Sequence, residues 1–316
     1  MKLFSEIVAP WLLESDSDDL IKLKDNLIWL QKELYDEYEP NRYESFDDCL
    51  ADWLKNVDDE EDRKSLFRIL NHLFFIGKQQ FDSLCRSAYS DQTMRWIIDV
   101  ANIDITSPDL QNLLDTEIEK IWFCPITDSM RINSFLKLNG LTGFDHRPDW
   151  RSLEEFGDKN RLTDYVNNNG IRGLVLLEDF VGSGNQMRTS VEWAADTLPN
   201  IPILVVPLVC CPEGVTTGTT IAQNFQNVTF SPTLTLRPEL FLGETPHTDE
   251  PEVFPRVRDL IGRVRARLNE WEYYPFGYES TGALVALYSN CPDNTLPIIH
   301  HRGHQWTPLF SRVRRN

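Results

Sequence analysis

The chain has 316 residues, of which 41% are hydrophobic, 11% aromatic and 25% charged, a composition that fits a folded globular protein and excludes a disordered one. This length can hold one large domain or two of ordinary size. No stretch approaches 18 uncharged apolar residues, and Glu6 interrupts the apolar start of the chain, so the sequence predicts neither a membrane span nor a signal peptide.

The net charge of −18 is unevenly distributed. Residues 1–120 hold 27 acidic and 13 basic side chains, a net −14, whereas residues 251–316 hold 6 and 9, a net +3. Because an acidic surface repels phosphate, only the tail has the right sign for a nucleic-acid partner. The cysteines form no CxxC pair and have no histidine at zinc-finger spacing, which predicts free thiols in a reducing cytoplasm and no zinc site. They are Cys49, Cys85, Cys124, Cys210, Cys211 and Cys291.

Residues 1–118 are predicted to be helical throughout, since apolar residues recur there at intervals of three and four. The expected helices cover Asp18–Tyr38, residues 60–77 with Gly77 as the closing glycine, Asp91–Val100, and a last one from about Ser107 to Glu119. The spacing within residues 60–101 would permit a winged-helix unit. The local charge is not basic, however, which favours a helical bundle for protein contacts.

After Lys120, short apolar runs alternate with helical segments, which predicts a parallel α/β sheet. The runs LVLL and ILVVPLV are apolar on both faces, as in central strands. The expected division is a helical domain of residues 1–118 and an α/β domain of residues 119–316. The elements expected after Lys120 are strands at Ile121–Thr127, Gly173–Leu177, Ile201–Val209, Asn227–Leu236 and Ala283–Tyr288, a loop at Glu178–Asn185, and helices at Arg131–Leu141 and near Lys159–Asn168, Gln186–Thr197 and Pro255–Glu270.

The loop after LVLL is the strongest candidate for a ligand site. In an open α/β sheet, ligands bind beyond the carboxyl ends of strands, where loops lead into helix N-termini. Gly182-Ser183-Gly184 lets the backbone come close to a ligand, and the following helix points unpaired N–H groups outward. This combination favours a phosphate group.

Two acids, Glu178 and Asp179, directly precede that loop. Like charges would repel a phosphate, so these carboxylates are expected to accept hydrogen bonds from sugar hydroxyls instead. A phosphate about one ribose length from a vicinal diol describes a 5-phosphoribosyl group.

Leu174–Gln186 resembles the signature of type I phosphoribosyltransferases, in which four apolar residues, two acids and two apolar residues precede a Thr- and Gly-rich loop. The resemblance implies that Glu178 and Asp179 bind the ribose 2′ and 3′ hydroxyls. It also implies that the 5′ phosphate is held by the Ser183 hydroxyl and by the loop residues Gly182, Gly184, Asn185 and Gln186. The family usually has Thr where this chain has Gln186.

The resemblance extends upstream to the strand IWFCPIT. In the family, the first strand leads to a loop that binds pyrophosphate, which implies that Asp128, Ser129 and Arg131 face the leaving group. A plain solvent-facing arginine is the alternative for Arg131. The family's mobile catalytic loop has one candidate here, Thr142–Asp158 with His146, Arg147 and Arg151. Mg²⁺ is held in that family mainly by substrate oxygens, so no metal cluster in the protein is expected.

The wider arrangement resembles the phosphoribosyltransferase-like proteins of bacterial conflict systems. The segments that carry this likeness are FCPITDSMRINSFL, LVLLEDFVGSGNQM, GALVALYSNCPDNTLPII and the closing WTPLF, which is expected to pack as a plug. The resemblance implies a toxic effector of an anti-phage, retron-type system. The implied partners are a reverse transcriptase with its RNA–DNA hybrid and a winged-helix protein, besides a phosphoribosyl compound or nucleotide.

Three other functions remain open. A relative of the same fold can sense nucleotides without catalysis. Glu178–Asn185 also resembles the cofactor loop of amino-methyltransferases that use S-adenosylmethionine, although the Pro-Pro-aromatic motif of those enzymes is absent from this chain. Gly182-Ser183-Gly184 could finally be an ordinary turn between a strand and a helix. A Walker phosphate loop and a complete GxGxxG fingerprint are both missing from the sequence.

Overall fold

The structure is a computed structural model that describes residues 6–14, 17–141, 157–268, 274–303 and 305–313. The strands within these ranges are β1 Phe74–Ile76, β2 Ile121–Pro125, β3 Gly173–Val181, β4 Ile203–Cys210, β5 Val228–Phe230, β6 Leu234–Thr235 and β7 Val285–Leu287. The helices are α1 Asp18–Glu33, α2 Phe46–Leu54, α3 Glu60–Ile69, α4 Lys78–Ser87, α5 Met94–Val100, α6 Leu110–Ile118, α7 Ile132–Leu138, α8 Lys159–Asn168, α9 Asn185–Thr197, α10 Pro212–Asn224, α11 Phe254–Leu268 and α12 Pro297–His300. A π-helical turn, Ala88–Thr93, joins α4 to α5.

Contacts group the chain into two compact units. One consists of Met1–Gln80 with Arg237–Asn316, and the other of Phe81–Leu236. The predicted division into domains of residues 1–118 and 119–316 has other boundaries. It stays a prediction, because a grouping by contacts does not test which segments form separate domains. Within the described residues, no helix is both long and apolar enough to cross a membrane.

The unit Phe81–Leu236 contains a parallel sheet in which the strands lie in the order β2-β3-β4-β5. The short β6 pairs with the carboxyl end of β4, at Val209 and Cys210. Every residue of β4 is buried, as is β3 from Gly173 to Glu178, which is typical of central strands in a parallel sheet covered on both faces. The predicted α/β class with a parallel, Rossmann-like sheet and a helical N-terminal region is confirmed.

The helix predicted over residues 60–77 is wrong in its second half. Helix α3 ends at Ile69, and after a short turn the chain forms strand β1. This strand pairs in parallel with β7, in the register Phe75 opposite Ala286. The partner strand lies at the far end of the sequence, so local periodicity could not reveal that tertiary pairing overrides helix formation here. Residues 1–118 are therefore not helical throughout.

The closing segment packs as the predicted plug. Trp306, Leu309 and Phe310 are all buried. The Phe310 ring packs against the rings of Tyr35, Tyr38, Phe46 and Phe75. The indole N–H of Trp306 donates a hydrogen bond to the carbonyl of Ile298 at 3.0 Å. The C-terminal segment thereby completes the core of the unit that also contains α1 and α2.

Acidic partners in the same unit neutralise part of the positive charge of α11. Arg256 and Arg263 both contact the largely buried carboxylate of Asp62, at 3.0 and 2.6 Å. Arg258 forms a 2.6 Å ion pair with Glu250 in which both side chains are mostly buried. Three of the five arginines of this helix therefore form ion pairs with acidic side chains. The positive charge available for a nucleic acid is smaller than the number of arginines in the sequence indicates.

Replacing Gly218 by Ala should destabilise the unit Phe81–Leu236. A Cβ at this position of α10 would overlap the ring of Phe230 in β5, and overpacking of this kind costs about 1–3 kcal/mol. Gly262→Ala is the matched control, because Gly262 also lies inside a helix but has open space around it. Ala there should stabilise by about 0.5–1 kcal/mol. Urea denaturation midpoints of the two variants should therefore move in opposite directions, and equal shifts would contradict the packing described here.

Candidate functional site

Strand β3 carries both predicted acids within the sheet. Glu178 lies opposite Pro207 in the pairing with β4, and the ladder continues to Val181. The prediction that the strand ends at Leu177 and that a loop begins at Glu178 is therefore wrong. The polar residues suggested a loop, but pairing with the long strand β4 extends β3 by four residues. Both acids are thus held by a hydrogen-bonded backbone at the carboxyl end of a central strand.

Two hydroxyl groups from the chain after β2 meet these acids. Thr127 Oγ1 donates to Glu178 Oε1 at 2.8 Å. Ser129 Oγ lies 2.6 Å from the same oxygen and 2.8 Å from Asp179 Oδ1. The two hydroxyl oxygens are themselves 2.7 Å apart. Because β2 and β3 are parallel neighbours with Pro125 opposite Leu177, their carboxyl ends reach the same edge of the sheet. We call Thr127, Ser129, Glu178 and Asp179 the acid–hydroxyl cluster.

The two acids of this cluster differ in their surroundings. Glu178 is only 4% exposed, whereas Asp179 is half-buried. Burial raises the pKa of Glu178 well above its ordinary value, and the nearby charge of Asp179 raises it further, while hydrogen bonds from Ser129 and Thr127 oppose the shift. Burial and the neighbouring charge therefore favour the protonated form of Glu178.

The acid–hydroxyl cluster has fewer hydroxyl protons to donate than oxygen atoms that could accept a hydrogen bond. The Ser129 hydroxyl has one proton and lies within hydrogen-bond distance of three oxygens, those of Thr127, Glu178 and Asp179. A proton on Glu178 supplies part of what is missing. The second oxygen of that carboxyl, Oε2, is buried and has no hydrogen-bond partner among the described residues. An unpartnered buried oxygen is costly when ionised, which is a further reason for the neutral form.

The predicted phosphate loop consists of Gly182, Ser183 and Gly184, between β3 and α9. Gly184 has φ +86°, a left-handed conformation that favours glycine, and it precedes the first turn of the helix without a side-chain cap. Ser183 Oγ accepts a long hydrogen bond of 3.4 Å from the N–H of Asn185. The first N–H groups of a helix have no partner within the helix, and its positive end favours anions. The loop thus has the geometry of an anion site at the start of a 13-residue helix.

Helix α10 packs against this loop. It was not predicted from the sequence. Thr217 Oγ1 donates to the carbonyl of Ser183 at 2.9 Å. A Cβ on Gly184 would lie 2.8 Å from the Cβ of Thr217, and one on Gly214 would lie 2.7 Å from the carbonyl oxygen of Gly182. Small residues on both sides therefore allow the loop and the helix to touch. Pro212 at the first helical position was the signal that could have predicted α10.

The remaining predicted site residues lie at the starts of two helices. Asn185 and Gln186 are the exposed first residues of α9. Arg131 is half-buried and precedes the first residue of α7, while Asp128 is exposed. The structure thus brings Ser129 to the two acids, and Thr127 joins it although sequence reasoning had not singled it out. His146, Arg147 and Arg151 of the candidate mobile loop lie outside the described residues.

A parallel sheet whose central strand ends in two acids and a glycine loop is the arrangement expected of a phosphoribosyltransferase-like protein. The model of the family described as PRTase-CE matches residues 50–312, which is most of the chain. The chain belongs to that family and is phosphoribosyltransferase-like. No curated protein and no solved structure matches it.

Replacing Glu178 by Gln should raise stability at neutral pH. Between the ordinary value near 4.5 and the raised native pKa of Glu178, the unfolded chain is ionised at this residue while the folded chain keeps the proton. The stability that the protonated group provides is therefore present at acid pH and lost as the pH rises through its native pKa. Gln cannot ionise and escapes this loss.

The measurement is the urea midpoint of both proteins between about pH 5 and pH 8. The advantage of the variant should grow with pH. Glu192→Gln, which removes a half-buried carboxyl from α9, is the control for the loss of one charge. A constant difference across the range, or one that shrinks as the pH rises, would contradict a raised pKa of Glu178.

Proposed function

We propose that the chain binds a 5-phosphorylated ribose compound at the carboxyl end of β3 and acts at its C1′ atom. The substrate would be phosphoribosyl pyrophosphate or a nucleotide. One observation supports this proposal: Asp179, the glycine loop and the start of α9 follow one another closely along the chain. A half-exposed carboxyl group and an anion site follow each other along three elements of fixed geometry.

Each part of the site has a role in this proposal. The amides of Gly182, Gly184, Asn185 and Gln186, with the Ser183 hydroxyl, would hold the 5′ phosphate. Asp179 would accept hydrogen bonds from the ribose hydroxyls, and the buried Glu178 directly precedes it in the chain. Asp128, Ser129 and Arg131 would lie on the side of the leaving group.

The chemistry at C1′ requires stabilisation of positive charge. The bond from C1′ to the leaving group breaks and the leaving group takes the electron pair, so the ring becomes cationic before water or a base attacks. The carboxyl group of Asp179 near the sugar would stabilise that charge. Glu178, whose pKa is raised by burial, would contribute mainly a hydrogen bond. Asp179 is therefore the acid on which turnover depends most.

Mg²⁺ is the cofactor that this chemistry implies. The described residues contain no group of three or more His, Cys, Asp or Glu side chains that could hold a metal. Mg²⁺ commonly binds through one or two carboxylates together with substrate phosphates, and Asp179 and Asp128 are oxygen donors that fit this mode. When bound, the ion would neutralise charge on the departing pyrophosphate.

A nucleotide sensor without turnover is the second candidate. It is favoured by the state of the acid–hydroxyl cluster, in which Glu178 is buried with a raised pKa and Ser129 already bonds both acids. A site in that state can recognise a ligand hydroxyl but provides less negative charge to a cationic ring. Ligand binding that depends on Asp179 without any turnover would support this function.

We also propose that the protein is the toxic component of a bacterial anti-phage system of the retron type. A reverse transcriptase with its RNA–DNA hybrid and a winged-helix protein would be its partners in the cytoplasm. The support is the resemblance of the segments around Pro125, Asp179, Ala286 and Trp306 to proteins of such systems. Expression without partners should then arrest bacterial growth, and Asp179→Asn should relieve the arrest. An equally toxic variant would contradict an effect through this site.

The decisive assay incubates the purified protein and Mg²⁺ with ribose 5-phosphate, phosphoribosyl pyrophosphate and a panel of nucleotides, read by mass spectrometry. Asp179→Asn should reduce kcat by at least about tenfold, because one hydrogen-bonded charge is lost at the sugar. Asp196→Asn, an exposed acid on α9, is the matched control and should leave turnover unchanged. Turnover that survives both Asp179→Asn and the Glu178→Ala/Asp179→Ala double change would refute the site.

A further inference from the structure

The Ser129 hydroxyl bridges both acids of the cluster. Its oxygen lies 2.6 Å from Glu178 Oε1 and 2.8 Å from Asp179 Oδ1, so one hydroxyl group contacts two neighbouring carboxyls. Thr127 supports this position through the 2.7 Å contact between the two hydroxyl oxygens. Ser129 is not part of β3 but belongs to the segment between β2 and α7. The segment after β2 is therefore bonded to the acids of β3 through the side chains of Ser129 and Thr127, and only Ser129 contacts both acids.

This contact has the chemistry of a bound sugar. A ribose hydroxyl at the two acids would place an oxygen at hydrogen-bond distance from a carboxyl oxygen, as Ser129 does now. The carboxyl oxygens Oε1 of Glu178 and Oδ1 of Asp179 face this hydroxyl, and each accepts only a limited number of hydrogen bonds. A ligand hydroxyl and Ser129 thus compete for the same acceptors.

We infer that Ser129 is an internal substitute for a ligand hydroxyl, which a vicinal diol must displace in order to bind the acid pair. This inference rests on the proposed function, because it takes the ribose to be the ligand of Glu178 and Asp179. Ser129 is then a positioning residue that weakens ribose binding in the free protein. It also links the ribose site to the segment Thr127–Arg131.

Displacement has a structural consequence for α7. The N–H of Ile132 donates to the carbonyl of Met130, and those of Ser134 and Phe135 donate to the carbonyl of Arg131. Only Met130 and Arg131 separate Ser129 from this helix. A shift of Ser129 therefore reaches the start of α7, so that diol binding rearranges the loop proposed to face the leaving group.

The test is calorimetric titration with ribose 5-phosphate of the wild type, Ser129→Ala and Ser134→Ala. Ser134 is an exposed serine of α7 and serves as the matched control. Ser129→Ala should bind ribose 5-phosphate roughly tenfold more tightly, because a hydrogen bond to a charged group no longer has to be exchanged. Inorganic phosphate, which lacks the diol, should bind the wild type and this variant equally.

Tighter or weaker binding of ribose 5-phosphate by Ser129→Ala decides whether Ser129 competes with the ligand or contacts it. Weaker or unchanged binding of ribose 5-phosphate by Ser129→Ala overturns the inference, while wild-type binding that is lost in Asp179→Asn keeps the proposed function. Absence of ribose 5-phosphate binding in the wild type and in both serine variants overturns both.

A second measurement does not depend on a variant. Hydrogen exchange of the wild type should show faster exchange in residues 127–138 when ribose 5-phosphate is added and no change with inorganic phosphate. Unaltered exchange in this segment with ribose 5-phosphate at saturation overturns the displacement.

Discussion

A carboxyl group buried at the end of a parallel strand constrains everything around it. Glu178 is 4% exposed and lies next to a second acid, so its pKa is raised and its burial depends on hydroxyl donors. Thr127 and Ser129 supply the donors, and the parallel register of β2 and β3 brings them within reach. The site therefore depends on the sheet as much as on the local motif, and moving β2 by one residue would separate the hydroxyls from the acids.

The loop of Gly182, Ser183 and Gly184 depends on a different constraint, the close approach of two backbones. Gly214 faces the carbonyl of Gly182, and Gly184 faces Thr217, so the loop rests directly on α10. The hydrogen bond from Thr217 to the Ser183 carbonyl occupies that acceptor and ties the loop to α10. Larger residues at these positions would force the loop off its support. The small residues are therefore required by packing, whatever ligand the loop binds.

How much the sequence could predict depends on the range of the interactions. Apolar runs alternating with helices predicted the parallel sheet, and the adjacency of Asp179 and Gly182 predicted one continuous candidate site, because both patterns are local. The pairing of β1 with β7 joins distant segments, so the helical periodicity around Phe74 was misleading. The contact of Ser129 with both acids requires the register of β2 against β3, which no single segment contains. The polar side chains of Glu178 and Asp179 also led to the wrong prediction that β3 ends at Leu177.

The raised pKa of Glu178 connects the structure to the choice between catalyst and sensor. If a ligand hydroxyl replaces Ser129, as proposed, the hydrogen bonds that oppose the raised pKa of Glu178 are exchanged rather than added, while burial and the charge of Asp179 persist. The pKa of Glu178 then stays raised in the complex, which favours a protonated carboxyl that donates a hydrogen bond to the sugar. Such a carboxyl contributes less to the stabilisation of a cationic ring. Under the proposed function, efficient turnover would therefore need further charge at the leaving group, which bound Mg²⁺ would supply, whereas recognition of a ribose phosphate would need only the acid–hydroxyl cluster and the loop.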